Sequence, residues 1–521
     1  MSIAALHAPR RGRATTFGLI TVLVAWELLA NSLSGAFVLA APSEVVASLF
    51  KHSGLMGRAL AATLANAAIG YVLGNGAAIL LAAVAFAWPR SQPVVTGVAL
   101  FVFCLPFVAT GPILRVIFGP GDGPQIVLAA LAVYYTTLIP LLVGLRAAPA
   151  TWFDLVRSYG RGRMAALVHV RAMAALPYLF AGLQIAAPAA FLGAMVGEFT
   201  GAERGMGVLT IRAMRALDVP MTFALATVAT AVAIAAYLAI GALARAVLRD
   251  APPLILAPPR ARSGGRGRGL SLALVTVTIL ALWWGFIALF DLNPFFAKGP
   301  GDVFAALLLE PDAAQTRATL LSALGETAVF LVPGYLAGLA AGAGLAILVI
   351  LLPALAGTVM PLAIALRSVP IVTTAPLIVL ALGRGAAGTI VLVAVMVFFP
   401  TLVACLHGLR QAPGQVIDVF ASYGAGALTR LIRVRIPAML PAFFAAARMG
   451  VPASVLAVTV VEWLATGEGV GSLMALSASL SDFDMLWSAV ALVAALSALC
   501  YAGVGLVEAK ILRIYAPEQL A

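Results

Sequence analysis

The sequence predicts an all-α integral membrane protein with about 12 transmembrane helices, arranged as two parallel six-helix repeats. Three observations carry that expectation. The 521 residues are 63% hydrophobic and only 10% charged, whereas a soluble domain carries about 25% charged residues. Such a chain cannot clothe itself in a polar surface, so it belongs in lipid. Apolar runs recur along its length, each with the roughly 20 residues needed to cross about 30 Å of hydrocarbon. Finally, the chain echoes itself at an offset of 264 residues, from Gly160 to Gly424. Asp154-Leu-Val-Arg-Ser-Tyr-Gly160 returns as Asp418-Val-Phe-Ala-Ser-Tyr-Gly424. The same shift carries Thr63 to Thr327, Gly70 and Gly74 to Gly334 and Gly338, Glu198 to Glu462, and Gly207 to Gly471.

Taken in order, the first repeat (1–250) offers spans at 16–35, 60–87, 93–118, 124–145, 175–197 and 220–246. The second (270–521) offers 270–290, 323–351, 354–382, 387–408, 439–461 and 485–508. An even number per repeat leaves both copies facing the same way, with a pseudo-twofold axis along the membrane normal. The first run follows Arg10, Arg11 and Arg13 and has the outline of a signal peptide. Its Trp26, however, has a counterpart in Trp284, mid-chain, where no signal peptide can stand, so 16–35 is read as a retained helix. The stretch 251–269, rich in Pro, Gly and Arg, reads as a flexible cytoplasmic linker.

The net charge of +12 does not point to nucleic acid, because membrane proteins gather Arg and Lys in cytoplasmic loops. Arg146, Arg157, Arg161, Arg163 and Arg171 crowd one loop, and Arg410, Arg430, Arg433 and Arg435 crowd its twin. The positive-inside rule makes both loops and both termini cytoplasmic, with Arg204, Arg212 and Arg215 outside among Glu198, Glu203 and Asp218. In a bacterium this is a multi-pass protein of the plasma (inner) membrane. Three cysteines (Cys104, Cys405, Cys500) and four scattered histidines offer neither a disulfide framework nor metal spacing. No metal site and no catalytic constellation is expected, so the chain is not read as an enzyme.

The duplicated loop has helical periodicity. Trp152, Leu155, Val156 and Tyr159 stand at i, i+3, i+4 and i+7, as do Val416, Val419, Phe420 and Tyr423. That spacing places four apolar side chains on one face of a short helix, which Gly160 or Gly424 then ends. The face could enter a partner's groove or pack on the protein's own bundle, and periodicity leaves both open.

These loops resemble the EAA loop of binding-protein-dependent ABC importer permeases, which reads Glu-Ala-Ala, three residues, Gly, nine residues, Ile-x-Leu-Pro. Asp418, Gly424 and Val434-Arg-Ile-Pro437 fill that pattern in copy two, and Asp154, Gly160 and Val170-Arg-Ala-Met173 in copy one. Asp replaces Glu in both copies, and Met173 stands where the proline belongs. Leu366-Arg-Ser-Val-Pro370, Ala375-Pro376, Phe399-Pro400, Gly408-Leu-Arg410 and Glu462 followed by Gly469-Val-Gly471 resemble the nitrate/sulfonate/taurine branch. The resemblance implies that each loop docks on an ATP-binding subunit, two copies in all, and that an extracytoplasmic substrate-binding protein delivers the solute. None of the three lysines lies in a Gly-Lys-Ser/Thr P-loop, so ATP and Mg belong on the partner ATPase and no cofactor on this chain.

The third span of each copy carries paired prolines: Pro106 and Pro112 around Thr110, Pro370 and Pro376 around Thr373 and Thr374. Proline inside a helix kinks it and frees a carbonyl, a feature tolerated at membrane depth beside protein or a wet cavity. These residues, with Arg367, form the expected substrate pathway. Arg367 corresponds to Phe103 and Arg448 to Gln184, so the copies differ in charge. Arg367 suits a small anion, while Arg448 is read as an internal ion pair, for example with Glu326. Glu198 and Glu462 are expected at outer helix ends, either solvated or as part of a gate or docking surface. Gly70/Gly74 and Gly334/Gly338 are expected to let helices pack closely. The reading is a permease importing a small anionic solute. The rival class is an ion-coupled secondary transporter with twelve spans. A non-transporting scaffold would leave the prolines and Arg367 without a purpose.

Overall fold

The computed structural model describes residues 23–32, 39–148, 150–248, 265–352 and 386–515. All regular structure among them is helical, as a bilayer requires of segments that must satisfy their own backbone polar groups. Copy one comprises α1 (23–32), α2 (Pro42–Lys51), α3 (Ser53–Ala87), α4 (Gln92–Phe103), α5 (Phe107–Phe118), α6 (Gly123–Gly144), α7 (Ala150–Ser158), α8 (Met164–Phe199), α9 (Met206–Arg215) and α10 (Val219–Val247). Copy two comprises α11 (Gly265–Leu289), α12 (Pro300–Leu308), α13 (Ala313–Leu351), α14 (Ala386–Arg410), α15 (Gly414–Ser422), α16 (Ala427–Leu464), α17 (Gly469–Ser479) and α18 (Phe483–Tyr515). Among the described residues, nine helices are long and apolar enough to cross a membrane. The ninth expected span, 354–382, with Arg367, Pro370, Thr373, Thr374 and Pro376, lies outside the described residues.

Each copy is a bundle whose middle helices meet through glycine. A Cβ at Gly74 would come within 2.5 Å of the Ala130 carbonyl oxygen, and one at Gly338 within 2.5 Å of that of Ala394. Any larger residue would force α3 off α6, or α13 off α14, so the expected close packing is what the glycines provide. Hydroxyls then tie the bundle crosswise at matching positions. Tyr71 donates to the Leu183 carbonyl at 3.0 Å, and Tyr335 to that of Ala447 at 2.8 Å.

Two expectations are corrected. Residues 93–118 do not form one kinked span, because the chain breaks at Cys104–Pro106 into α4 and α5. Each piece has 12 residues, about 18 Å of helix, too short to cross alone. Pro106 stands at the N-cap of α5 with ψ 105°, where its missing N–H costs no helical bond. Only Pro112 lies inside a helix. Likewise α11 begins at Gly265, so helix replaces the end of the expected 251–269 linker.

The copies interlock through α5. Phe107 and Leu114 pack with Leu392, Val458 and Val461 of copy two. On the opposite side, Ala109 and Ile113 pack with Met474, Leu486 and Val490. α5 is therefore a wedge between the repeats.

Candidate coupling helices and buried glutamate clasps

The two duplicated loops fold as predicted from their periodicity. α7 and α15 are both 9-residue helices, each ending in a left-handed glycine: Gly160 at φ +66° and Gly424 at φ +70°. Beyond the glycine, Arg161 N–H donates to the Val156 carbonyl at 3.2 Å and Ala425 N–H to that of Phe420 at 2.9 Å. This back-bond from beyond the cap satisfies carbonyls that the helix end would otherwise orphan.

Exposure shows how the apolar stripe sits relative to its own bundle. Trp152, Leu155, Val416 and Val419 are exposed, and Tyr159 and Tyr423 are 76% and 87% exposed. Val156 and Phe420 are half-buried, while Asp154 and Asp418 are exposed. The stripe therefore does not pack on its own bundle. In copy one, what packs inward is the neighbouring side chain, Phe153, whose ring lies 4.9 Å from the guanidinium carbon of Arg171. Arg171 stands in a π-helical turn, Leu167–Ala172, at the start of α8, and copy two repeats the turn at Leu431–Arg435. Such turns add one residue per turn and redirect a helix locally.

At the far end of α8, about 50 Å of helix away, lies Glu198. It is 1% exposed, and Glu462 is 0% exposed. Neither is a solvated helix end, and a docking surface needs an exposed carboxylate, so both expectations are corrected by burial. Glu198 accepts from the Thr63 hydroxyl at 2.6 Å and from Gly207 N–H at 2.6 Å. Thr63 Oγ1 in turn accepts from Met206 N–H at 2.8 Å. Glu462 accepts from Gly471 N–H at 2.8 Å, and Thr327 from Val470 N–H at 2.9 Å. Glu326 adds a third acceptor in copy two, taking Gly469 N–H at 2.9 Å.

The first N–H groups of a helix have no intrahelical partner and carry partial positive charge. Here side chains from α3 and α8, or from α13 and α16, supply the acceptors and clasp α9 or α17 to the bundle. The Gly-x-Gly spacing follows from that approach. A Cβ at Gly205 or Gly469 would collide with the glutamate, and one at Gly207 would come within 2.5 Å of the Met195 carbonyl oxygen.

Residues 74–250 and 334–513 each match the family described as Binding-protein-dependent transport system inner membrane component. The chain belongs to that family. This permease is 29% identical over 222 residues to a probable ABC transporter permease of Haemophilus influenzae, covering 42% of this chain and 90% of the relative. It is 30% identical over 236 residues to a riboflavin transport system permease of Chloroflexus aurantiacus, covering 44% and 87%. It is 25% identical over 207 residues to a putative aliphatic sulfonates transport permease of Bacillus subtilis, covering 39% and 75%. Each relative spans about half of this permease, as expected for two fused copies of one unit. Membership makes the chain the multi-pass transport component of an ABC importer rather than an enzyme. It also implies an ATP-binding subunit and a substrate-binding protein as partners.

Of the expected pathway residues, Pro106 and Thr110 are buried and Pro112 is half-buried, all on the α5 wedge. Thr110 donates its hydroxyl back to the Pro106 carbonyl at 3.0 Å. Arg448 pairs with Glu508 at 3.2 Å, not with Glu326. In copy one the same position holds Gln184, which donates to the Tyr237 carbonyl at 3.3 Å, and Ala244 replaces Glu508. The extra cation of copy two thus arrives with its own counter-charge. Sequence reasoning missed Glu508 and the roles of Thr63 and Thr327. The available signals were an acid inside the apolar run 485–508 and a threonine kept at the repeat offset.

Proposed function

We propose that this permease supplies both transmembrane halves of its importer in one chain, with α7 and α15 as two coupling helices, one for each of two ATPase subunits. The carrying observation is the doubled, glycine-ended helix whose apolar face is left exposed in both copies. A helix of this kind lays its apolar stripe into a partner's groove. The arginine-rich loops support a cytoplasmic side for these helices and both termini. ATP and Mg are held by the partner, whose closure on ATP rocks the copies about the α5 wedge and switches access from the outer face, where a substrate-binding protein docks, to the inner one. Pro106, Thr110, Pro112 and their copy-two counterparts line the path between the copies.

The solute is a small anion of the sulfonate or nitrate kind. The resemblance to that branch and the sulfonate permease among the relatives support this reading. With Arg448 occupied by Glu508, Arg367 is the cation that carries it. The riboflavin permease among the relatives makes a vitamin the comparison solute.

The test is purification in gentle detergent with its partner ATPase, followed by reconstitution. Two ATPase subunits per chain, and loss of both on introducing Leu155→Asp and Val419→Asp together, are expected. An ATPase retained by that double variant would refute the coupling role. Uptake of a sulfonate that survives Arg367→Gln unchanged would refute the anion assignment.

A further inference from the structure

The end of α3 and the loop leading into α7 enclose a half-open cleft of about 90 Å³, lined on its apolar side by Phe86, Leu142 and Leu145 and on its polar side by Gln92, Arg146 and Arg171. That volume holds several water-sized groups. Arg171 lies over two rings, its guanidinium carbon 4.8 Å from the centroid of Phe86 and 4.9 Å from that of Phe153. A guanidinium that packs on aromatic rings can still present its N–H fork to in-plane acceptors. Arg146 donates to the Gln92 side-chain oxygen and keeps further donors. Among the described residues no carboxylate pairs with either arginine, and the nearest acid along the chain, Asp154, pairs with Arg157 at 3.4 Å. Two fork-shaped cations thus face one cleft without an anion.

The position of the cleft bears on what fills it. Leu80, Val84 and Trp88 of the same helix end are exposed, an apolar track finished by an indole, as at a bilayer interface. Basic pockets between spans at that level take lipid head groups, and guanidinium forks match phosphate oxygens in pairs. We propose that this cleft is a phosphate-binding site, filled by the head group of an anionic phospholipid or by free phosphate. Because Arg171 also holds Phe153 of α7, an occupant stiffens the seat of that helix. Only this consequence rests on the coupling role proposed above, and the binding itself does not.

The full-length protein is reconstituted without any ATPase in phosphatidylcholine nanodiscs, with or without phosphatidylglycerol. Lipid retention is read by native mass spectrometry and stability by thermal midpoint. A second arm titrates inorganic phosphate into the phosphatidylcholine discs. Preferential retention of phosphatidylglycerol, weakened about fivefold by Arg146→Gln and unaltered by Arg212→Gln on α9, identifies the lipid source. Saturable thermal protection by phosphate that Arg146→Gln removes identifies the free anion. Arg171→Lys, which keeps the charge but loses the fork, is expected to fall between wild type and Arg146→Gln, and the midpoints in phosphatidylcholine alone verify that each variant is folded. The proposal is overturned if neither arm responds, or if Arg212→Gln lowers retention as much as Arg146→Gln.

Discussion

Removing the Thr63 hydroxyl tests the clasp that holds α9. Thr63→Val keeps the shape of the side chain and deletes one oxygen that serves two partners, Glu198 at 2.6 Å and Met206 N–H at 2.8 Å. Both partners are buried. A buried polar group left without a partner costs about 1–3 kcal/mol, so the pair together costs about 2–6 kcal/mol. Thr327→Val in copy two strands the Val470 N–H, while the Gly469 and Gly471 N–H groups keep Glu326 and Glu462 as acceptors. Its expected cost is about 1–3 kcal/mol. The assay is reversible unfolding in mixed detergent–SDS micelles, with Thr63→Ser as the control that keeps the hydroxyl. A double-mutant cycle of Thr63→Val with Glu198→Gln is expected to show about 0.5–3 kcal/mol of coupling. Thr63→Val within error of wild type, or Thr63→Ser as damaging as Thr63→Val, would refute the clasp, as would additivity in the cycle.

Three further outcomes follow from the same geometry. Gly160→Val or Gly424→Val places a β-branched residue at φ +66° or +70°, which costs more than the roughly 1–2 kcal/mol of an ordinary residue there. ATPase recovery should fall while the spans stay folded, measured by pull-down and circular dichroism. Glu508→Leu leaves Arg448 buried beside Tyr501, and breaking such a pair costs about 3–5 kcal/mol. The double variant Arg448→Met/Glu508→Leu should recover most of that loss in the same unfolding assay. Gly74→Leu must push α3 from the Ala130 carbonyl, so it is expected to lower the thermal midpoint, whereas the same change at Gly76, which has open space around it, is expected to leave it nearly unaltered.

Much of this protein was legible before any coordinate. Composition forced it into lipid, because 10% charge cannot cover a soluble surface. The repeat offset established two copies, and apolar periodicity with a following glycine placed both short helices and their ends. Those features are local or arithmetical: a helix period, a turn that needs φ > 0, a length matched to a bilayer. Three-dimensional packing decided what local pattern could not. An apolar stripe reads the same whether it is left open or packed on its own bundle, and only the exposure of Tyr159 and Tyr423 shows that it is left open. Glu198 and Glu462 read as solvated helix ends, because nothing nearby in sequence announces that Thr63 and Thr327, 135 residues upstream in each copy, close over them. Arg448 could be matched to the wrong acid for the same reason. A buried charge is decided by which helix lies beside it, and helix neighbours are a property of the fold, set here by glycines that let some pairs of helices meet and by a proline that cut one span in two.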